Sequence, residues 1–275
     1  MHTVAAADLR IPALGFGTWE LEGDTCTSMV ETALELGYRH IDTAYYYKNE
    51  GEVGRALTAS GIPRDEIFVT SKVWPESFAR DALLSSAERS ATLLGGPTDL
   101  LLLHWPSPLT PLAETIGALN EAKARGLTRG IGLSNFPSKL IKEVAELSET
   151  PIATNQVEYH PYLSQQTVIQ TMLDMGGSVT AWSPLAQGKV IKDPVLTAIG
   201  EAHGKSAGQV ALRWLVQQEG VIAIPRTANA ARAAENLAVF DFSLSDAEMA
   251  AIFDLADTAG RIGDWIDPAY QWDKR

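Results

Sequence analysis

Four side chains of different chemistry stand at or just after the ends of neighbouring apolar runs. Asp42 closes the run Tyr38–Asp42, Lys72 closes Ile67–Lys72, His104 closes Asp99–His104, and Tyr47 lies in the loop after the first of these. An acid, an amine, an imidazole and a phenol together form a proton-transfer set. Reducing a carbonyl group needs a hydride at carbon and a proton at oxygen. A phenol that titrates near pH ~10 is a poor acid at neutral pH, and a neighbouring ammonium lowers that value by favouring the phenolate. On this reading Tyr47 gives the proton, Lys72 supplies the charge, Asp42 pairs with Lys72 and fixes it, and His104 hydrogen-bonds the carbonyl oxygen. Singly, each has an ordinary explanation: a turn cap, an exposed lysine, a packed tyrosine, a satisfied histidine. The joint placement at successive strand ends favours chemistry.

The elements that must position these residues alternate between short apolar runs and longer stretches with helical spacing. Expected strands are Ala13–Gly17, Tyr38–Asp42, Ile67–Lys72, Asp99–His104, Arg129–Ser134, Ala153–Val157, Ser178–Trp182 and Val221–Ile224. Their near-continuous apolar character fits parallel strands covered on both faces. Helices are expected at about 25–36, 80–94 and 112–125, and at 139–147 with Ser138 as its cap. Asp193-Pro194 reads as an N-cap with proline in the first turn. Ser206 with Gln209, and Ser245 with Glu248, match the capping box. Eight β-then-α units in 275 residues predict an α/β fold, a closed (β/α)8 barrel spanning 1–275 as one domain. A doubly wound sheet is the other architecture. It needs a Gly-x-Gly-x-x-Gly turn to bind a dinucleotide, and Gly15-Phe16-Gly17-Thr18-Trp19-Glu20 lacks the third glycine.

Composition narrows the partners. With 22 Lys and Arg against 34 Asp and Glu, the net charge is −12, which argues against nucleic acid and anionic membranes. Cys26 is the single cysteine, so there is no disulfide framework and no CxxC motif. No signal peptide is evident from Met1 to Pro12, and the longest strongly apolar runs, such as Leu100–Leu103, are too short to cross a bilayer. A cytoplasmic location is the expectation.

Several motifs bear on family. They are Gly15-Phe16-Gly17-Thr18-Trp19, then Arg39-His40-Ile41-Asp42-Thr43-Ala44 leading to Tyr47, and Glu50-x-x-Val53-Gly54. Thr70-Ser71-Lys72-Val73-Trp74 and Asp99-Leu100-Leu101-Leu102-Leu103-His104-Trp105-Pro106 follow. Gly130-Ile131-Gly132-Leu133-Ser134-Asn135-Phe136 and Asn155-Gln156-Val157-Glu158-Tyr159-His160-Pro161 complete the set. Across essentially its whole length the chain resembles the aldo-keto reductases, and within them the bacterial 2,5-diketo-D-gluconate reductases. The resemblance implies a TIM barrel with an N-terminal hairpin, a short C-terminal loop over the mouth, and a monomeric NADP(H)-dependent oxidoreductase of aldehydes and ketones. It places the catalytic tetrad on Asp42, Tyr47, Lys72 and His104, and not on Tyr45 or Tyr46.

The same resemblance implies a cofactor pocket. Gly17, Thr18, Trp19 and Asp42 contribute at one side. Ser134, Asn135 and Gln156 hold the nicotinamide amide, and Trp182 stacks under the ring where the family usually has tyrosine. Ser183, Leu185, Gln187 and Lys189 follow strand seven. Arg226 and Thr227 replace the family's usual Lys-Ser at the 2′-phosphate, and Arg232, Glu235 and Asn236 match later adenosine contacts. An arginine fork is not a lysine point charge, so NADPH is expected with NADH use left open. The substrate mouth is aromatic: Trp19, Trp74 and Trp105 beside Tyr47 and His104, with Trp265 and Trp272 in the tail 260–275. Pro268 argues against a helix there. A short tail implies an open site, compatible with diketogluconate, methylglyoxal or aromatic aldehydes.

Two other functions compete. A metal-dependent hydrolase would need several converging ligands, and of five histidines only His104 and His160 are well placed. A non-catalytic nicotinamide-binding regulatory or partner subunit would keep the barrel but lose turnover, against which the intact tetrad argues.

Overall fold

The computed structural model describes residues 2–257 and 260–273. The chain opens with an antiparallel hairpin, β1 (Thr3–Ala6) and β2 (Leu9–Pro12). Eight parallel strands follow: β3 (Phe16–Gly17), β4 (His40–Asp42), β5 (Phe68–Val73), β6 (Thr98–Leu103), β7 (Thr128–Ser134), β8 (Ile152–Glu158), β9 (Ser178–Trp182) and β10 (Val221–Ala223). Each pairs with its sequence neighbour. The seam between first and last closes through backbone bonds Gly15 N–H to Ala223 O (2.8 Å), Ala223 N–H to Ala13 O (2.9 Å) and Gly17 N–H to Pro225 O (3.0 Å). The sheet is therefore a barrel and not an open doubly wound sheet.

Helices cover the outside: α1 (Gly23–Leu36), α2 (Glu50–Ala59), α3 (Arg80–Leu93), α4 (Leu112–Ala124), α5 (Ser138–Leu147), α6 (Gln166–Asp174), α7 (Pro194–His203), α8 (Ala207–Gln217), α9 (Ala230–Leu237) and α10 (Asp246–Phe253). The expected caps form at α7, where the Asp193 side chain accepts from Val195 N–H and Leu196 N–H. Both capping boxes form, Ser206–Gln209 at α8 and Ser245–Glu248 at α10. Ser138 does not cap α5. It is the first helical residue, and its hydroxyl donates instead to Asp273 of the C-terminal tail.

Burial explains the apolar runs. All six residues of β6 are buried, as are all six of β5. Each fully buried leucine contributes about 1.5–3 kcal/mol relative to exposure. The first strand is shorter than the expected Ala13–Gly17 because residues 13–15 meet β10 at the seam, with Leu14 making a single bridge to Ala223.

The N-terminal ends of the strands form the foot of the barrel, which the hairpin plugs. Leu9 is so close to β7 that a Cβ on Gly130 would lie 2.4 Å from its side chain. Asp99, buried in β6, accepts from Arg64 (2.9 Å), Arg129 (2.8 Å) and the backbone N–H of Val69 (2.9 Å). That residue is a foot anchor. His40 is likewise structural, with Nε2 3.0 Å from Thr70 Oγ1 and Nδ1 3.3 Å from Pro12 O.

Gly54 lets α2 pass over the end of α3. A Cβ there would lie 1.9 Å from the Leu93 carbonyl oxygen, a backbone atom that cannot swing aside. Gly54→Ala is expected to cost about 1–3 kcal/mol, visible as a lower urea midpoint at unchanged slope. A wild-type midpoint would show that the two helices are not locked together here. Among the described residues, no helix is long and apolar enough to cross a membrane.

Candidate active site

The four chemistry-bearing residues meet at the C-terminal ends of β4, β5 and β6, the end of such barrels where active sites lie. The ammonium of Lys72, fully buried, spends its three N–H donors on Asp42 Oδ1 (2.6 Å), the Thr43 carbonyl (2.8 Å) and Tyr47 Oη (3.2 Å). Nothing is left to rotate toward water, so the amine is a fixed charge beneath the phenol. Asp42 is fixed in turn: its second oxygen accepts from Gln156 Nε2 at 2.7 Å. Its carbonyl accepts from both the N–H and the hydroxyl of Thr18, each at 3.0 Å. His104 stands beside them with its ring centroid 5.6 Å from that of Tyr47, edge to face.

Electrostatics depart from the expected pattern at Tyr47. Burial pushes its phenol above the ordinary value. Lys72 pulls it down as anticipated, but Asp42 pushes the same way as burial, and the net direction is up. Burial alone would draw the Lys72 ammonium down, yet Asp42 and Tyr47 more than offset it and hold it above its usual range. Burial first and the Lys72 charge second hold the His104 imidazole well below its ordinary value. The ring is therefore neutral at pH 7. Its Nδ1 is buried without a hydrogen-bond partner. A bare lone pair there is cheaper than a stranded N–H, which puts the proton on Nε2.

Tyr45, Tyr46 and Tyr47 form a 3₁₀ turn. Three residues per turn aim successive side chains about 120° apart. Tyr45 turns outward, with the Arg89 guanidinium 4.9 Å from its ring. Tyr47 turns inward to Lys72. Tyr46 turns along the rim, stacked 3.8 Å from Trp74 and 6.0 Å from Trp19. Tyr46 thus belongs to the mouth, which the sequence reading missed, because three tyrosines in a row carry no period from which their separate directions can be read.

The aromatics expected at the substrate mouth fall into two contact groups, one around Tyr47 and His104 and one around Trp105. Trp19 lies 4.8 Å from Tyr47 and Trp74 lies 5.1 Å from His104. Trp105 meets Trp265 at 6.0 Å and Trp272 at 6.2 Å, and Trp265 reaches Trp182 at 6.4 Å. The tail contains no helix between 260 and 273, as expected; its last two residues, 274–275, lie outside the described residues. It is tied down by Glu158, a residue sequence reading left without a role.

The expected cofactor residues occupy the same rim. Ser134 ends β7, and its hydroxyl donates to the Gln156 carbonyl (3.0 Å). Asn135 is in the left-handed region at φ 65°, donates to the His104 carbonyl (3.0 Å) and accepts from Trp182 Nε1 (2.9 Å). Ser183 and Gln187, in the β9–α7 connection with Leu185 and Lys189, are also left-handed at φ 49° and 53°. Non-glycine residues held there cost energy and concentrate at functional sites. Arg226 is exposed at the mouth end of the seam and donates to the Trp19 carbonyl (2.9 Å) and the Glu20 carbonyl (3.0 Å). Thr227 is buried, accepting from Asn229 N–H. Arg232, Glu235 and Asn236 lie on α9, where Glu235 accepts from the Ser206 hydroxyl and Asn236 is buried. His160 is remote from these groups in its bonding and pairs with Glu158.

Residues 13–257 match the aldo/keto reductase family. An aldo-keto reductase of Mycolicibacterium smegmatis is 42% identical over 256 residues, covering 92% of each chain. Methylglyoxal reductase DkgB of Salmonella typhi is 42% identical over 244 residues, 87% of this chain and 91% of that one. A solved structure provisionally assigned as a 2,5-diketo-D-gluconic acid reductase B is 51% identical and superposes with a TM-score of 0.98, covering 100% of this chain and 98% of that one. A Bombyx mori aldo-keto reductase solved with NADP is 33% identical, with a TM-score of 0.86 over 93% of this chain and 92% of that one. The chain belongs to the aldo/keto reductase family and is a nicotinamide-dependent reductase of carbonyl compounds.

Proposed function

We propose that the protein reduces small aldehydes and ketones with NADPH, Tyr47 giving the proton to the carbonyl oxygen. The observation that carries this reading is the Lys72 ammonium bonded at once to Asp42 and Tyr47 at the barrel mouth. A bound nicotinamide supplies the hydride. Tyr47 Oη–H lies at the mouth with Lys72 behind it, so negative charge left on the phenol oxygen as its proton departs meets a fixed cation. The Nε2–H of neutral His104 supplies a second donor for the substrate oxygen.

The residues present fit such a cofactor by the chemistry of their donors. A carboxamide needs both donors and acceptors, which Ser134, Asn135 and Gln156 supply, and the Gln156–Asp42 bond sets this group beside the proton-transfer residues. Trp182 is half-buried and has its indole N–H fixed by Asn135, so its ring is a fixed stacking surface. Gly17, Thr18 and Trp19 border the opposite side of the rim. Lys189, Arg226 and Arg232 gather cations around the loops after β9 and β10, in a chain of net charge −12; Leu185, Gln187 and Thr227 line the same loops.

Oxidation of NADPH with methylglyoxal or an aromatic aldehyde, followed at 340 nm, tests the assignment; no turnover with any carbonyl would overturn it. Arg226 carries the preference for the 2′-phosphate. Arg226→Gln is expected to weaken NADPH binding by about 1.5–3 kcal/mol, roughly ten- to hundredfold. NADH binding should change little. Equal losses for the two cofactors, measured by titration calorimetry, would place Arg226 outside the phosphate site.

A further inference from the structure

Glu158 ends β8 with no solvent exposure, and nothing in the proton-transfer set uses it. Its carboxylate accepts three N–H donors. Oε1 takes the backbone N–H of Ile262 (2.6 Å) and Nε2–H of His160 (2.9 Å), and Oε2 takes the backbone N–H of Gly263 (2.8 Å). Two of these come from the C-terminal tail, 104 and 105 residues away in sequence. The third comes from His160, whose Nδ1 is buried without a partner; its role here is to complete the carboxylate's shell and hold its orientation.

The clamped dipeptide sits where it matters for the site. A Cβ on Gly263 would lie 2.6 Å from the Trp182 ring and 2.9 Å from the Trp265 ring. The tail backbone therefore passes against the outer edge of the Trp182 indole, and only glycine allows that approach. Two residues on, Trp265 is 67% exposed, yet it spans from Trp182 to Trp105. Trp272 also meets Trp105, edge to face. The far end of the tail is fixed by Asp273, which accepts from both the hydroxyl and the N–H of Ser138. An exposed indole makes too few contacts of its own to hold that position, so its placement follows the tail backbone, clamped at 262–263 before it and at Asp273 after it.

We propose that Glu158 is a positioning residue that holds the aromatic tail over the active-site mouth, and so governs how tightly carbonyl substrates bind without touching them. This rests on the site assignment above. The substrates most affected are those with a flat or aromatic body able to meet Trp265. A two-carbon or three-carbon aldehyde that ends at Tyr47 and His104 should respond little.

Glu158→Gln keeps the size of the side chain but turns one acceptor into a donor, leaving N–H facing N–H. Hydrogen exchange of the 260–273 segment should accelerate by about tenfold or more, with the amides of β4–β8 unchanged. KM for an aromatic aldehyde should rise about tenfold, while kcat and the KM for methylglyoxal stay within about twofold. Trp265→Ala should reproduce the KM change with the 262–263 amides still protected. The double variant should be no worse than the stronger single one, because the two act in series.

Additive effects on KM, or a fall in kcat at unchanged KM, would overturn the proposal. So would wild-type amides at 262 and 263 exchanging as fast as free peptide, a measurement that needs no variant to fold. A Glu158→Gln chain that loses protection throughout the barrel would assign the carboxylate to the fold and not to the tail. Exchange needs no turnover, so its failure is distinguishable from failure of the reductase assignment.

Discussion

Tyr47→Phe is expected to lower kcat for carbonyl reduction by about 10²–10⁴-fold, with NADPH binding unchanged. The substitution keeps the ring that meets Trp19 and His104 and removes only the hydroxyl that Lys72 holds at 3.2 Å. Stopped-flow single turnovers would place the loss in the chemical step; a variant as fast as wild type would remove Tyr47 from the proton path. The pH dependence adds a second constraint. Because the phenol is held above its ordinary value, the proton stays available through neutral and mildly alkaline solution. Reduction should be flat there and fall only in strong alkali. Because the His104 imidazole is already neutral, no limb should appear near the usual histidine range. A bell centred near pH 6.5 would show that one of these two groups titrates in solution as it does not in the structure.

Lys72→Met is expected to lose both activity and stability. The amine is fully buried against a buried Asp42, and removing one member of such a pair strands the other charge at a cost of about 3–5 kcal/mol. For a chain of this size the thermal midpoint should fall by roughly 5–15 °C. The Asp42→Asn/Lys72→Met double variant should recover part of that stability, since no uncompensated charge remains, while staying inactive. Calorimetry of the two variants tests this. A double variant less stable than Lys72→Met would show that the Asp42 bond to Gln156, and not the ion pair, dominates. The sign with pH follows from the Lys72 shift. Its value is raised in the folded state, so the stabilisation is complete below the unfolded lysine range and is lost as pH climbs through the folded value.

The barrel was legible because parallel strands are buried on both faces, and Leu100–Leu103 or Ile67–Val69 leave short apolar runs that recur between helical stretches. The catalytic cluster was legible for a related reason: barrels of this kind build their sites from polar residues at the C-terminal ends of strands. Short elements were harder. α2 and α6, of 10 and 9 residues, begin without a side-chain cap, whereas the equally short α7 and α10 announce themselves through theirs. Ser138 read as a cap because serine before a helical stretch usually is one; a partner 135 residues away, Asp273, claimed its hydroxyl instead. Glu158 lies within the motif Asn155–Pro161, but its partners depend on where residues 262 and 263 return, information absent from local sequence. The net rise at Tyr47 was hidden for the same reason, since it needs the burial of the whole cluster and not only the proximity of Lys72.

The chain enters through the hairpin at the foot and, by Asp273, has arrived at the rim beside the N-terminal end of α5. These are opposite faces of the barrel. A tether or fusion partner attached ahead of β1 would hang from the plugged foot and leave the mouth open to solution. One attached beyond Asp273 would stand next to Trp105, Trp265 and Trp272, in the approach path of substrate. Surface immobilisation, affinity handles and artificial linkage to a cofactor-regenerating enzyme therefore belong at the hairpin end.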